Sequence, residues 1–368
     1  MSIRERGKNN WQINVDAGRD ESGRRQRRFY TFAGTKRAAK AFEAERKAEI
    51  ARGTSVDPSR LSVGELLSRW QSHYVAHNVR GSTARRYGSI ARRLTSEIGA
   101  QRLQALKPAD IQAMYVRLLD AGLSPRTVLH HHRVLREALA WAMRMRLIEV
   151  NAADAATPPK ATQKEVRALS PSEVGTLIAS IEDEDLRRVA LVTVATGMRI
   201  GEVLALRWSD LEDGQLRVER AVVYTPREGF SFEPPKTRAG RRAVALGAST
   251  IEVLREHRVT QNERRLSAGS AWADNDLIFP DHLGNVWAPY LVSKSFTSAA
   301  RAAGFDGFTF HGLRHTTATL MLRGGVDAKL AAARLGHSSP VITQTLYQHV
   351  APDLNQRVAE ALDVLLTG

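Results

Sequence analysis

Apolar positions recur along this chain with two different periods, and the switches between them divide it into segments. Near the N-terminus Trp11-Gln12-Ile13-Asn14-Val15 alternates apolar and polar, which predicts a half-buried strand. Arg25 to Phe32 predicts a second strand after the turn chemistry of Asp20-Glu21-Ser22-Gly23, and Ser2 to Arg6 offers a third. Thr35 is placed to cap a helix through Ala38, Ala39, Phe42 and Arg46, with Gly53 as its stop. Thr54 to Arg60 has no period, contains Pro58 and reads as a linker.

From Leu61 to Asn151 the period is helical. Val63, Leu66, Leu67 and Trp70 form one stripe that Tyr74 continues, and Thr83, Tyr87, Ile90 and Leu94 form another. Pro108 opens a third helix through Ile111, Met114, Tyr115 and Leu118 to Gly122. Ser124-Pro125 opens a fourth through Val128, Leu135, Leu139 and Trp141. A second linker, Ala152 to Glu165, holds Pro158-Pro159-Lys160. Ser170 and Glu173 form a capping box, followed by stripes through Leu177, Ile181, Val189, Leu191 and Val194. Gln215 to Tyr224 and Arg241 to Leu246 are strand-like and bracket Pro234-Pro235-Lys236-Thr237. Leu277-Ile278-Phe279 is a short apolar run before a turn, and helices return to the end. A last apolar stripe, Leu354, Val358, Leu362 and Leu365, is suited to docking, on its own domain or on another protomer. The expected fold is mainly α with small β-sheets in three domains: 1–55, a small three-stranded sheet plus helix; 60–155, four helices; 165–368, mixed and mostly helical.

At 368 residues the chain is too long for one ordinary core, which agrees with that division. No stretch approaches the roughly 18 apolar residues of a membrane span, and the N-terminus is charged rather than signal-like. The absence of cysteine excludes disulfides and cysteine metal sites and permits a reducing cytoplasm. The net charge of +15 is unevenly spread. Residues 1–55 carry 14 Lys/Arg against 7 Asp/Glu, residues 60–159 carry 15 against 7, and residues 160–368 carry 25 against 24. A polyanion is the natural partner of such a basic half, because neutralised phosphates release counterions. Arg24, Arg25, Arg27 and Arg28 load one strand, and Arg85, Arg86, Arg92 and Arg93 flank a helical stripe. His130-His131-His132 cannot converge on one ion, since adjacent helical residues point about 100° apart; a solvated or phosphate-facing surface is expected there.

The chemistry gathers toward the C-terminus. His311-Gly312-Leu313-Arg314-His315 places His311 and Arg314 on one helix face. Leu335-Gly336-His337 follows, and a lone Tyr347 comes ten residues later. Arginine with histidine is a means of holding a phosphodiester, and tyrosine beside them can attack it. Such cleavage needs a nucleophile, a route for its proton, cations on the non-bridging oxygens and an acid for the departing oxygen. Upstream, Arg199 and Lys236 add two cations, and Glu202, three residues after Arg199, is placed to orient it. His311 and His315 have zinc-helix spacing but no Glu between them, no Asp/Glu cluster of the two-metal kind exists, and no Walker loop occurs. Neither a metal nor a cofactor is therefore expected.

In this order the residues Arg199, Lys236, His311, Arg314, His337 and Tyr347 resemble the tyrosine recombinase (phage integrase) family, and the likeness covers nearly the whole chain. The resemblance implies a catalytic set of these six: Tyr347 as nucleophile, His311 as general base, Arg199 and Arg314 as phosphate clamp, His337 as a further phosphate hydrogen bond, and Lys236 as acid for the 5′-oxygen. It implies an arm-type DNA-binding domain at 1–55, a SAM-like core-binding domain at 60–155 and the catalytic domain at 165–368. The implied activity is site-specific recombination through a 3′-phosphotyrosyl intermediate, in integration or excision of a phage or mobile element. Implied partners are double-stranded DNA with core-type and arm-type sites, a homotetramer on two duplexes and DNA-bending or directionality accessory proteins, in the cytoplasm of a bacterial host. The alternatives are a catalytically silent DNA-binding regulator and a topoisomerase-like relaxing enzyme of the same chemistry.

Overall fold

The computed structural model describes residues 3–19, 23–52, 56–161, 167–225, 229–235 and 238–337. The chain separates into two compact units, residues 1–163 and 164–368. The first unit opens with an antiparallel sheet, β1 (Ile3–Gly7), β2 (Asn10–Arg19) and β3 (Arg25–Ala33), in the order β1-β2-β3. The register pairs Trp11 with Phe32, Ile13 with Tyr30 and Val15 with Arg28, so these share one face. Helix α1 (Lys36–Ala51) covers that face with Ala39, Phe42 and Ile50, and the Thr35 hydroxyl accepts from the Ala38 N–H at its start. The opposite face carries Gln12, Asn14, Arg27, Phe29 and Thr31, with Arg4 paired to Gln12.

Alternation along β3 therefore separates arginines that are adjacent in the sequence. Arg27 stands on the open face, Arg25 donates to Asp16 at 2.7 Å, and Arg28 turns to the helix side, where it pairs with Asp57.

The remainder of this unit is helical. α2 (Val63–Trp70) starts at a complete capping box between Ser62 and Glu65, and continues through a π turn at Gln71–Val75 into the short α3 (Ala76–Asn78). α4 (Gly81–Ile98), α5 (Pro108–Asp120) and α6 (Pro125–Arg144) complete it. Their apolar stripes meet in one core around Leu66, Trp70, Leu94, Ile111, Met114, Leu118 and Leu135. Each such fully buried side chain contributes about 1.5–3 kcal/mol relative to exposure. The expectation of a histidine surface on α6 is corrected here. His131 and His132 are buried, His131 Nδ1 lying 2.8 Å from Thr127 O and His132 Nδ1 2.5 Å from the Tyr115 hydroxyl. Only His130 of the three is half-buried. Arg85, Arg86, Arg92 and Arg93 do lie exposed along α4.

The second unit begins with α7 (Pro171–Ala179), capped by Ser170 and Glu173 as its sequence predicts, then α8 (Glu184–Thr196) and α9 (Ile200–Val203). Five strands follow: β4 (Leu211–Glu212), β5 (Gln215–Val218), β6 (Ala221–Thr225), β7 (Gly229–Glu233) and β8 (Arg242–Ala245). They form two sheets, β4-β5-β8 and β6-β7. The single strand-like stretch from Gln215 to Tyr224 is thus two strands that join different sheets, divided at Glu219 and Arg220. β7 is absent from the sequence-based expectation, although Phe230 and Phe232 alternate with polar neighbours. Helices α10 (Ala248–Ala268), α11 (Pro289–Ala302), α12 (Phe310–Arg323) and α13 (Ala328–Leu335) complete the described part. The core gathers Leu177, Val189, Val192, Leu216, Val244, Phe296 and Leu313. Leu191 and Val194, which the sequence pattern places in the stripe of α8, are only half-buried. Among the described residues no helix is long and apolar enough to cross a membrane.

Candidate active site

The site is assembled where α8 ends, α12 begins its course through the core, and α13 ends. Helix α8 stops at Gly197, whose φ of +68° is left-handed and favours glycine. A Cβ there would come within 2.4 Å of Leu335 Cδ2, so the turn and α13 pack without room for a side chain. The chain leaves that turn at Met198 and delivers Arg199 to the start of α9. Glu202 closes the local geometry, accepting from the Arg199 backbone N–H at 3.0 Å and from its Nη1 at 2.7 Å. The Arg199 side chain keeps 44% of its surface exposed while Glu202 is buried. This is the orientation that the spacing Arg199-x-x-Glu202 predicts.

Arg314 sits on α12 and is almost wholly buried, at 4% exposure. Thr317 on the same helix donates to Val194 O at 2.8 Å, and Thr316 accepts from the Leu169 N–H at 3.1 Å, which fix α12 against α8 and the start of the unit. Arg314 Nη1 donates to Gly197 O at 2.7 Å. Its Nη2 is buried with no hydrogen-bond partner among the described residues. A buried unmatched donor on a guanidinium is costly unless an acceptor arrives. At the end of α13 Gly336 (φ +69°) turns the chain so that His337 follows immediately, and Arg199 Nη2 lies 3.4 Å from Gly336 O. The two arginines thus each engage the carbonyl of a left-handed glycine that borders the site.

Cations crowd this place. Desolvation first, then the charges of Arg199 and Arg242, push Arg314 down to about 9, with Glu202 opposing. His337 is pushed down to about 4 by burial, then by Arg314 and Arg199. His311, though open to solvent on one side, is also pushed down to about 4, by desolvation and then by His315, Arg314 and Arg199. Its ring meets the edge of His315 at 4.9 Å between centroids. Burial alone would push the Glu202 carboxyl up, but the charge and hydrogen bond of Arg242, then the contacts to Arg199, hold it below the ordinary carboxylate range. Glu202 is therefore an anion and the two histidines are neutral at pH 7. In an NMR titration of the DNA-free protein, the ring resonances of His311 and His337 are expected to stay neutral down to about pH 4. The unfolded chain takes up these protons near pH 6.5 and the folded chain only near 4, so stability should fall as pH drops through that window. Ordinary midpoints near 6.5 would contradict the cationic crowding.

The described structure thus brings Arg199, Glu202, His311, Arg314 and His337 together. Lys236 and Tyr347 lie outside the described residues, as does the apolar stripe from Leu354 to Leu365. Arg24, Arg25, Arg27, Arg28, Arg85, Arg86, Arg92 and Arg93 all lie in the first unit. Sequence reasoning misses Arg242, which looks like part of a basic turn with Arg241. The signal that could reveal it is strand alternation: Val244 is an inward apolar position of β8, and Arg242 lies two residues before it on the same side. Among the described residues no group of three or more His, Cys, Asp or Glu is placed to hold a metal ion.

This unit, helical with two small sheets, holds two oriented arginines and two neutral histidines beside a buried guanidinium donor that has no partner among the described residues, an arrangement able to bind an oxyanion. The model of the phage integrase family matches residues 167–353, and the chain belongs to that family. Among its relatives, a "Tyrosine recombinase XerC-like" protein of Caldanaerobacter subterraneus subsp. tengcongensis is 28% identical, across 98% of this chain and 97% of its own. The ICEBs1 integrase of Bacillus subtilis is 23% identical over the full length of both. Of solved structures, the Tn1549 transposon integrase bound to a circular intermediate DNA superposes with a TM-score of 0.71 at 18% identity, covering 82% of this chain and 99% of that one. A lambda integrase tetramer bound to a Holliday junction superposes at 0.61 and 22% identity, covering 94% of each. The protein is a tyrosine-type site-specific recombinase of the integrase kind, as its sequence resemblance implies.

Proposed function

We propose that this chain integrates and excises a mobile DNA element by transferring strands through Tyr347. The Tyr347 hydroxyl attacks the scissile phosphorus as its proton passes to His311, whose neutral ring is able to accept it. Arg199, Arg314 and His337 hold the non-bridging oxygens, with Arg314 Nη2 supplying a donor that protein groups leave unused among the described residues. Lys236 protonates the departing 5′-oxygen. The P–O5′ bond breaks as the P–O(Tyr) bond forms, leaving a 3′-phosphotyrosyl link and a free 5′-hydroxyl. A 5′-hydroxyl from a partner strand then reverses the step. One phosphoester replaces another at each stage, so no nucleotide cofactor is required. The observation that carries this reading is the buried Arg314 donor beside an Arg199 held out by Glu202.

The test uses a nicked duplex carrying the core site that this protein selects from a randomised pool. Cleavage releases the short fragment between the scissile phosphate and the nick, with its free 5′-hydroxyl, and traps the enzyme. A covalent protein–DNA band on a denaturing gel, undiminished in excess EDTA, is expected. Its absence, or strict dependence on a divalent ion, would overturn the reading.

The three-module organisation belongs to the same proposal: residues 1–55 as an arm-site reader, 60–155 as core binder and 165–368 as catalyst. Working on two duplexes, four copies form the synaptic complex, and DNA-bending or directionality proteins assist in a bacterial cytoplasm. The separate hydrophobic cluster of the N-terminal sheet and helix supports an independent module. Its open face, with Arg4, Gln12, Asn14, Arg27 and Thr31, suits a sheet laid into a DNA groove. Replacing both Arg4 and Arg27 by Gln is expected to spare core-site cleavage and to flatten the salt dependence of arm-site binding. The log–log slope should fall by about 0.9 for each phosphate that is no longer neutralised. Filter binding across a salt series gives the slope; an unchanged one would assign this face another role.

A further inference from the structure

We propose that Arg242 is a positioning residue for DNA cleavage, one guanidinium that fixes the anchor of Arg199, the turn Arg238–Gly240 and the turn carrying His337 in a single arrangement. The proposal rests on the catalytic reading above, and it adds a residue outside the six-residue catalytic set.

The geometry is that of a three-way clasp. Arg242 Nη2 donates to Glu202 Oε2 at 3.0 Å, Nη1 to Gly240 O at 3.0 Å, and Nε to Arg334 O at 2.6 Å. Its side chain is only 7% exposed, against 62% for the adjacent Arg241. The three bonds reach three different chain segments. Glu202 uses its other oxygen on Arg199 Nη1, so the carboxylate is a bridge between a buried arginine and a half-exposed one. Gly240 ends the turn Arg238–Gly240 and presses on Pro235: a Cβ on Gly240 would come within 2.4 Å of Pro235 Cβ. Arg334 lies three residues before His337, and a Cβ on Gly336 would meet Arg242 Nη1 at 2.8 Å. Arg334 extends the clasp, donating through Nη2 to Ala195 O and Ala245 O, each at 3.0 Å.

Only a planar fork serves all three acceptors. A lysine at this position keeps a charge for Glu202, but a single ammonium on a flexible stem cannot reproduce the fixed directions to Gly240 O and Arg334 O. A buried ion pair is by itself weak evidence of stabilisation, since desolvation offsets its attraction. What the arrangement supplies is registry between three chain segments that are far apart in sequence. Misplacement of catalytic groups by about 1 Å costs on the order of 10²-fold in rate.

The experiment measures single-turnover adduct formation on the nicked core-site duplex by wild type, Arg242→Lys, Glu202→Gln and the double variant. Gel-shift affinity and thermal melting are measured alongside. Arg242→Lys keeps the buried charge and is the variant that should fold; Arg242→Gln strands Glu202 and is the harsher companion. Arg242→Lys is expected to bind DNA within about twofold of wild type and to cleave about 10²-fold more slowly. Its loss should overlap with that of Glu202→Gln, the double variant being scarcely worse than the poorer single one, as for residues acting through one network. A 5′-bridging phosphorothiolate, which leaves without a proton from Lys236, should restore part of the Arg242→Lys rate and less of the Glu202→Gln rate. Cleavage by Arg242→Lys at the wild-type rate would overturn the proposal. So would multiplicative losses in the double variant, equal rescue of both single variants by sulfur, or a rate that falls only with the folded fraction. A wild-type protein that forms no adduct on any selected site would instead remove the catalytic reading beneath it.

Discussion

Tyr347→Phe is expected to form no covalent adduct with the nicked core-site duplex while binding it within about twofold of the wild-type affinity. The substitution removes one oxygen and keeps the ring, so on the proposed mechanism it takes away the nucleophile alone. Loss of an enzyme's nucleophile costs on the order of 10⁴-fold or more, because the cations that hold the phosphate have nothing to deliver to it. The phosphate should still be gripped by Arg199, Arg314 and His337, which is why binding is spared. Gel shift and denaturing gel on the same samples separate the two effects. Undiminished adduct would move the nucleophile to another side chain, and equal loss of binding would make Tyr347 a DNA-binding residue instead.

Arg314→Lys is the second large effect. The guanidinium donates to Gly197 O at 2.7 Å and keeps a second, buried donor without a partner among the described residues, which the proposed mechanism gives to the phosphate. A lysine ammonium cannot hold the same carbonyl and offer the same fork, so the cleavage rate should fall by about 10²–10³-fold, the range for loss of a preorganised donor. The residual activity should also begin to decline at a lower pH than that of the wild type. Burial and the neighbouring cations already push Arg314 below its usual range, and the same causes act on a lysine whose intrinsic value is lower. The active form is the charged one, so the activity of the variant should decline as pH rises from about 6 to about 9. His311, neutral throughout that range, does not confound the slope. A variant that cleaves within about threefold of wild type, or whose pH profile stays parallel to it, would take Arg314 out of the phosphate clamp.

Much of the fold is legible because its signals are local. The capping box at Ser170, the Thr35 cap and the proline starts at Pro108 and Pro125 each act within four residues, and the structure has them all. The readings that fail depend on partners distant in sequence. Gln215 to Tyr224 alternates well enough to pass for one strand; only the pairing of β5 with β8 and of β6 with β7 separates its halves. His131 and His132 look like surface because histidine is amphipathic, and their burial follows from Thr127 O and the Tyr115 hydroxyl being within reach. At the site, Arg199, Glu202, His311, Arg314 and His337 are readable from their spacing and order. Arg242 is not, because two adjacent arginines look alike until a strand face assigns one of them inward.

The bond from each of the two clamp arginines to a glycine carbonyl has a consequence for the protein before it meets DNA. Arg314 is tied to the turn that precedes Arg199, and Arg199 to the turn that precedes His337, so like charges are braced together in spite of their repulsion. An anion seated among these cations would offset their repulsion. A tetrahedral oxyanion that prefers the folded site raises stability by RT ln(1 + [L]/Kd), about 2.7 kcal/mol at a hundredfold excess over Kd. Sulfate, phosphate or vanadate should therefore protect this recombinase against heat beyond what chloride does at equal ionic strength. The same ions should compete with the scissile phosphate, so the conditions that preserve the protein longest in storage are those in which it cuts least.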